Sequence, residues 1–273
     1  MLDLLERHGL RASRALGQNF VVDPNTVRRI ARLAAVGPGD RVVEIGAGLG
    51  SLTLALAETG ATVTAIELDR HLLPALRSVV EPAGVTVVEG DAMTLDWAAL
   101  LDGPPASWVL VANLPYNVAT PLVADLLDGV PAIARMLVMV QREVGERLAA
   151  QPGDAAYGAV SVKVAYWAAA TVVAKVPPTV FVPQPKVDSA VVSIVRRPAP
   201  AVDPSVVGAE QLFSVVRTGF AQRSKMLRRS LAGLADAAVF DAARVRPEAR
   251  PEELGVVEWG RLAAAVEAAR HAG

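Results

Sequence analysis

The sequence predicts an α/β fold, in which a mostly parallel sheet with a late antiparallel hairpin is followed by a small, all-helical C-terminal domain. Two observations support this prediction. Short apolar segments alternate with helical segments between Arg41 and Ala150, and the residues after Pro204 show helical spacing alone. Parallel strands need a crossover between them, so such alternation is typical of a sheet covered on both faces. We expect domains at 1–198 and 199–273.

The first predicted helix begins at Asp23-Pro24, where Asp23 can cap the helix and Pro24 suits its first turn, and it ends before Gly37. Strand and helix predictions then alternate. The predicted strands are Arg41–Ile45, Ala61–Ile66, Val85–Val88, Trp108–Ala112 and Arg135–Val140. The predicted helices are Leu52–Glu58, Arg70–Val80, Trp97–Leu101, Thr120–Leu127 and Glu143–Ala150.

Two later segments, Thr171–Val176 and Ser189–Val195, have strand character and are joined by a proline-rich connection. They predict the hairpin that completes the sheet. Pro198-Ala-Pro200 is the predicted linker to the helical domain.

Composition excludes several kinds of site. The chain has no cysteine, which excludes disulfides and thiolate-bound metals, and its three histidines lie far apart in the sequence. Its apolar runs fall well short of the roughly 20 residues of a membrane span, and the N-terminus lacks the apolar centre of a signal peptide. We therefore expect a cytoplasmic protein with no membrane and no metal partner, and take a monomer as its state.

A glycine-rich turn follows the first strand of the alternation, in Glu44-Ile-Gly46-Ala-Gly48-Leu-Gly50. Glycines let the backbone approach a ligand closely. A pyrophosphate prefers a helix N-terminus free of negative charge, whereas Glu44 suits a cationic ligand such as the ammonium and sulfonium groups of S-adenosylmethionine. A glycine turn without a ligand is the alternative for this motif alone.

Acidic residues also follow the next two strands. Glu67 can accept both ribose hydroxyls of an adenosyl group, and Asp91, which precedes Ala92, can accept from an adenine amino group. Either acid alone could be an ordinary exposed residue. With Glu44 they stand at the carboxyl ends of successive strands, where open α/β sheets bind ligands, and this combination predicts a nucleoside cofactor.

Asn113-Leu114-Pro115-Tyr116 follows the fourth strand. The exocyclic amine of adenine is a poor nucleophile, because its lone pair is delocalised into the ring. The Asn113 oxygen and a backbone carbonyl can accept its two hydrogens, Pro115 fixes the backbone, and Tyr116 offers a face on which an extruded base can stack. Catalysis would then come from positioning rather than from a strong base. A simple Asn-Pro turn is the alternative.

These motifs lie in order along nearly the whole chain, and with them the sequence resembles the KsgA/RsmA family of ribosomal RNA adenine dimethyltransferases. The segments that carry the resemblance are Leu16-Gly-Gln-Asn-Phe20, Glu44–Gly50, Asn113-Leu-Pro-Tyr-Asn117, Gln141-Arg-Glu143, Tyr157-Gly158, Phe181–Ala190 and Phe220–Lys225.

The resemblance implies a Rossmann-like sheet that uses S-adenosyl-L-methionine and a helical domain that docks on RNA. The substrate would be two adjacent adenosines of small-subunit ribosomal RNA, each methylated twice, with the small ribosomal subunit as partner. Tyr116 and Phe181 would sandwich the flipped adenine, so the candidate catalytic residues are Asn113, Leu114, Pro115, Tyr116 and Phe181. The candidate cofactor-binding residues are Gln18, Asn19, Val21, Glu44, Gly46, Gly48, Glu67, Asp91, Ala92 and Asn113.

Basic residues cluster between Arg217 and Arg229 although the formal net charge is −1. Alone, such a cluster indicates a solvated helix face. With the resemblance it predicts phosphate contacts. The candidate RNA-binding residues are Arg217, Arg223, Lys225, Arg228 and Arg229.

The chain departs from the family pattern at Ala119, Ala159, Ser224, Met226 and Arg229. Basic residues are expected where Ala159 and Ser224 stand, while Arg229 adds a charge. We expect RNA docking to be altered or weaker, with catalysis retained.

Three alternatives remain. An Erm-type methyltransferase would modify large-subunit RNA and confer macrolide resistance, with similar motifs. A non-enzymatic assembly factor would use the same fold to bind RNA. A nicotinamide-dependent dehydrogenase is disfavoured by Glu44 and by the absence of a hydride-transfer acid.

Overall fold

The computed structural model describes residues 18–115 and 118–272. The strands are β1 (Phe20–Val21), β2 (Arg41–Ile45), β3 (Thr62–Glu67), β4 (Thr86–Glu89), β5 (Trp108–Asn113), β6 (Ile133–Gln141), β7 (Ala168–Val176), β8 (Phe181–Val182) and β9 (Ser189–Arg196). The α-helices are α1 (Pro24–Ala34), α2 (Ser51–Ala57), α3 (Leu73–Val80), α4 (Trp97–Leu100), α5 (Ala119–Gly129), α6 (Arg142–Ala149), α7 (Ala159–Trp167), α8 (Ala209–Ala221), α9 (Leu227–Ser230), α10 (Ala237–Ala243) and α11 (Val256–Ala272).

Seven strands form one sheet in the order β4-β3-β2-β5-β6-β9-β7. The pairs from β4 through β6 are all parallel, and β9 pairs antiparallel with β6. β7 and β9, the two late segments, are neighbours at one end of the sheet. The predicted α/β fold with a mostly parallel sheet and a late hairpin is therefore confirmed.

The strand order reverses at β2, since β3 lies on one side of it and β5 on the other. In open α/β sheets a ligand-binding crevice forms at such a switch point, beside the carboxyl ends of the strands. The helix α1 begins at the capping residue predicted from the sequence. The Asp23 carboxylate accepts a hydrogen bond from the Thr26 N–H at 2.8 Å and so caps α1.

The chain divides into two compact units. Unit 1 comprises Met1–Gly145 and Thr171–Arg196, and unit 2 comprises Glu146–Ala170 and Arg197–Gly273. Each unit has a hydrophobic core of its own, centred on the parallel strands in unit 1 and on Phe213, Phe240 and Trp259 in unit 2. Among the residues that the structure describes, no helix is both long and apolar enough to cross a membrane.

Candidate active site

A cavity of about 270 Å³ opens in unit 1 at the carboxyl ends of β2, β3, β4 and β5. All of the residues predicted to contact the cofactor line it. These are Gln18, Asn19, Val21, Glu44, Gly46, Gly48, Glu67, Asp91, Ala92 and Asn113. Leu114 and Pro115 line it too, so the structure brings the predicted cofactor residues and part of the predicted catalytic loop to one place.

Glu67 ties the glycine loop to the end of β3. One of its carboxylate oxygens accepts from the Gly48 N–H at 2.7 Å, and the other accepts from the Asp69 N–H at 2.8 Å. A carboxylate oxygen has two lone pairs, so both oxygens can accept further hydrogen bonds from ribose hydroxyls. Burial raises the pKa of Glu67, and these backbone hydrogen bonds oppose that effect.

Gly48 permits the close packing around this carboxylate. Its φ is +59°, and a Cβ atom there would lie 3.0 Å from the Phe20 ring. A side chain would therefore push the loop away from Phe20, which also lines the cavity.

Glu44 is buried, with 2% of its surface exposed, and its Oε2 has no hydrogen-bond partner among the described residues. Burial raises the pKa of Glu44 to about 8, the nearby Thr53 hydroxyl lowers it, and the charge of Glu67 raises it further. An unpaired buried carboxyl in a cavity wall is costly unless a ligand compensates for it. A cationic ligand group would do so, because it favours the ionised form.

The end of β4 is ordered by hydrogen bonds within its own loop. Asp91 Oδ1 accepts from the Met93 N–H at 2.9 Å, and the Trp97 indole N–H donates to the Ala92 carbonyl at 3.1 Å. Trp97 thus holds the backbone next to Asp91, a role that the sequence pattern does not indicate. Met93 and Leu68 line the same cavity with 40% and 49% of their surfaces exposed.

Asn113 is the last residue of β5, and it lines the same cavity. Its Nδ2 donates to the Asn19 carbonyl at 3.0 Å, so its Oδ1 faces away from that carbonyl. The Leu114 N–H donates to the Met139 carbonyl at 3.0 Å, and the Pro115 carbonyl accepts from the N–H groups of Val118 and Ala119. These bonds fix the loop on both sides. Tyr116, the next residue, lies outside the described residues.

Phe181 lies in β8 and pairs with Val21 in the short β1–β8 ladder. Its side chain is 2% exposed and packs in the core of unit 1, and it is not among the described residues that line the cavity. The structure therefore places Phe181 beside Val21 and in the core of unit 1, outside the cavity wall.

The predicted RNA-binding residues are all exposed in unit 2. Arg223 donates to the Ala155 carbonyl at 2.7 Å and lies 3.7 Å from Glu252, and Arg228 lies 3.8 Å from Glu248. Within the part of the chain that the structure describes, Arg217, Lys225 and Arg229 form no ion pair. The same part contains no cluster of acidic or histidine side chains that could hold a metal ion.

The sequence comparisons with known proteins agree on one family. The sequence profile of the ribosomal RNA adenine dimethylase family matches residues 9–265. A protein of Kineococcus radiotolerans named ribosomal RNA small subunit methyltransferase A is 49% identical, with 96% of this chain and 88% of that protein covered. The protein of the same name from Cutibacterium acnes is 48% identical, with 99% and 93% covered.

Solved structures agree at the level of the fold. A dimethyladenosine transferase from Plasmodium falciparum matches with a TM-score of 0.74 at 23% identity, covering 89% of this chain and 95% of that one. The 23S rRNA methyltransferase ErmE matches with a TM-score of 0.70 at 28% identity, covering 91% of this chain and 99% of that one.

Proposed function

We propose a function for this chain on the premise that it belongs to the ribosomal RNA adenine dimethylase family. It transfers methyl groups from S-adenosylmethionine to the exocyclic amines of two adjacent adenosines in small-subunit ribosomal RNA. One observation carries the proposal. The Asn113-Leu114-Pro115 loop stands at the wall of a cavity whose other residues suit an adenosyl cofactor with a positive charge.

The residues present fit this cofactor. The unpartnered Oε2 of Glu44 suits the cationic end, and Gly48, which lines the cavity, adds no side chain to it. Glu67 would accept the ribose hydroxyls, and Asp91 would accept from the adenine amino group. When bound, the cofactor supplies an electrophilic methyl group on its sulfonium.

Asn113 and Leu114 prepare the acceptor. The Asn113 Oδ1 and the Leu114 carbonyl would each accept one hydrogen of the adenine amine, which turns its lone pair out of conjugation and toward the methyl group. The sulfonium would supply the methyl group, and the methylated amine would release one proton to solvent. Tyr116 would hold one face of the flipped base by stacking. Phe181, which the resemblance pairs with it, is 2% exposed and packs in the core of unit 1, so it offers the base no open face in this structure. Most of the rate enhancement would come from this positioning.

The small subunit is favoured over the large one as substrate. Identity reaches 48–49% with proteins named ribosomal RNA small subunit methyltransferase A, against 28% with a structure named as a 23S rRNA methyltransferase. Because bacterial ribosomal subunits mature in the cytoplasm, we infer that the protein acts there. The segment 1–198 would hold the catalytic site, and 199–273 would dock on the RNA through its exposed basic residues.

The test is methyl transfer from labelled S-adenosylmethionine to small ribosomal subunits that lack adenine dimethylation, with large subunits in parallel. We expect dimethyladenosine, identified by mass spectrometry of nuclease digests, in the small-subunit RNA alone. Label in the large subunit would support the Erm-type alternative instead. Cofactor binding without transfer to either subunit would leave a non-enzymatic RNA-binding role.

A further inference from the structure

The residues 18–22, which we call the covering segment, run along the cavity and are held at several points. Gln18, Asn19, Phe20 and Val21 line the cavity. The C-terminal end is held by the β1–β8 ladder and by the Val22 N–H, which donates to the Val180 carbonyl at 2.8 Å. The N-terminal end is held by the loop that follows β3.

That second attachment is Asp69. Its Oδ2 accepts a hydrogen bond from the Gln18 Nε2 at 2.9 Å, across 51 residues of sequence. Its Oδ1 accepts from the His71 N–H at 3.0 Å, and its own N–H donates to a Glu67 carboxylate oxygen at 2.8 Å. Asp69 is not among the described residues that line the cavity, so it connects the carboxylate proposed for ribose binding to the covering segment without touching the cavity itself.

The middle of the covering segment contacts the proposed catalytic amide. The Asn19 carbonyl is the acceptor for the Asn113 Nδ2, and this bond sets which way the Asn113 Oδ1 points. If the segment lifts away, the Asn113 amide loses its partner and can rotate. The same movement would uncover the cofactor cavity.

We propose that Asp69 is a positioning residue that fastens the covering segment over the cofactor, so that cofactor retention and the orientation of the Asn113 amide depend on one element. This inference rests on the proposed function, because it assigns Asp69 and Gln18 to the same reaction.

A double-mutant cycle on Gln18→Ala and Asp69→Ala tests the attachment, with the dissociation constant of S-adenosylmethionine as readout. Each single variant should weaken cofactor binding by roughly fivefold, as expected for the loss of one partly exposed hydrogen bond. The double variant should be no weaker than the weaker single variant, because both changes remove the same bond. The single-turnover methylation rate at saturating cofactor should also fall, since Asn113 is less well oriented.

Exchanging the hydrogen-bond donor and acceptor between residues 18 and 69 distinguishes a positioning role from general damage to the fold. Gln18→Glu places two carboxylates face to face and should bind the cofactor more weakly than Gln18→Ala. Adding Asp69→Asn to Gln18→Glu restores a donor and an acceptor, and should recover both affinity and rate. Asp102→Ala is the matched control, because it removes an exposed carboxylate that accepts from Arg41 at 2.8 Å away from the cavity, and it should change neither readout.

The inference and the proposed function fail in different ways. Wild-type protein that does not bind S-adenosylmethionine would contradict the function. If the wild-type protein transfers methyl groups but the effects of the two alanine substitutions are additive, the role of Asp69 is overturned and the proposed function stands. The same conclusion follows if the Gln18→Glu/Asp69→Asn pair recovers neither affinity nor rate.

Discussion

At the scale of single residues, the site is dominated by two buried carboxyl groups. Glu44 and Glu67 have 2% and 6% of their surfaces exposed, and burial raises the pKa of both. They differ in their partners. Glu67 accepts two backbone hydrogen bonds, whereas the Glu44 Oε2 has none among the described residues. The two acids are thus suited to different parts of one ligand, hydroxyl groups for Glu67 and a positive charge for Glu44.

Glu44→Gln should make the free energy of unfolding less dependent on pH. The pKa of Glu44 is raised from 4.5 to about 8 on folding, so the unfolded chain loses this proton first. The stability that the protonated carboxyl contributes is complete below pH 4.5 and is lost as the pH rises through about 8. The glutamine variant, which has no proton to lose, should therefore show a smaller decline between pH 5 and 8 in urea titrations.

The exposed Glu81 provides the control for that experiment. It lies 2.7 Å from Arg77 at the surface, and Glu81→Gln should leave the pH profile close to that of the wild type. Equal slopes for wild type and Glu44→Gln would show that Glu44 does not carry a buried proton.

At the residue scale, the sequence pattern indicates the acidic residues of the cavity but not the residues that hold their loops in place. Glycines and acids after predicted strands have a recognisable pattern. Gly46, Gly48 and the three acids line the cavity, whereas Gly50 is not among the residues that line it. Asp69 and Trp97 have no such pattern, because their partners, Gln18 and the Ala92 carbonyl, are chosen by the three-dimensional course of the loops. The position of Phe181 beside Val21 likewise depends on the β1–β8 pairing, which periodicity cannot indicate for two-residue strands.

At the scale of elements, most predicted strands and helices are present and their ends differ by a few residues. The clearest omission is α7, since the sequence pattern predicts no helix between Ala150 and Thr171. The segment is rich in β-branched residues, and Val162, Val164 and Tyr166 are all buried, so it lacks a clear polar face. Packing rather than propensity sets its conformation. Local support comes from Ser161, whose hydroxyl accepts from the Gly158 N–H and donates to the Arg147 carbonyl.

The junction between the glycine loop and α2 should tolerate no side chain at Gly50. Its φ is +83°, and a Cβ atom would lie 2.5 Å from Val80 Cγ1 in α3. Gly50→Ala combines left-handed strain with overpacking and should lower the free energy of unfolding by about 2–4 kcal/mol. Denaturant titration measures the loss, and cofactor affinity should fall with it because the loop must shift.

Gly84→Ala is the matched control for Gly50→Ala. Gly84 has a φ of +79° and open space where its Cβ would be, so the substitution introduces the backbone strain alone. A loss of about 1 kcal/mol is expected there. If the two alanine variants lose the same stability, the contact with Val80 is not what restricts Gly50.

At the scale of the whole molecule, the two compact units carry different features. Unit 1 carries the cavity, while unit 2 carries exposed basic residues in a chain whose formal net charge is only −1. Net charge therefore does not reveal the RNA-binding surface that we propose, because acidic residues elsewhere compensate for it. The domain boundary at residue 198 and the RNA-binding residues stay predictions.

The basic residues without ion pairs should contribute most to RNA binding. Replacing Arg217, Lys225 and Arg229 by glutamine should weaken binding to small subunits and reduce the slope of log affinity against log salt by roughly 0.7–0.9 for each phosphate that the variant no longer neutralises. Cofactor affinity should not change. Arg77→Gln with Arg270→Gln is the control, since each of these arginines forms a helix-surface pair with a glutamate. An equal reduction of the slope in the control would refute a specific basic surface.

The departures from the family pattern make a related prediction. Ala159 and Ser224 lack the positive charge expected at those positions, so the wild-type salt dependence should be shallower than that of a relative with basic residues there. Ser224→Lys should steepen it and raise RNA affinity. An equally steep slope in the wild-type chain would contradict the expectation of altered or weaker RNA docking.

The most direct test of the proposed active site is single-turnover methyl transfer by Asn113→Ala at saturating S-adenosylmethionine and small subunit, with cofactor binding measured on the same preparation. Asn113 is proposed to orient the adenine amine, so the variant should still bind the cofactor while its transfer rate falls by about 10²-fold or more. Transfer at the wild-type rate under these conditions would contradict the assignment of the Asn113 loop, and with it the proposed chemistry.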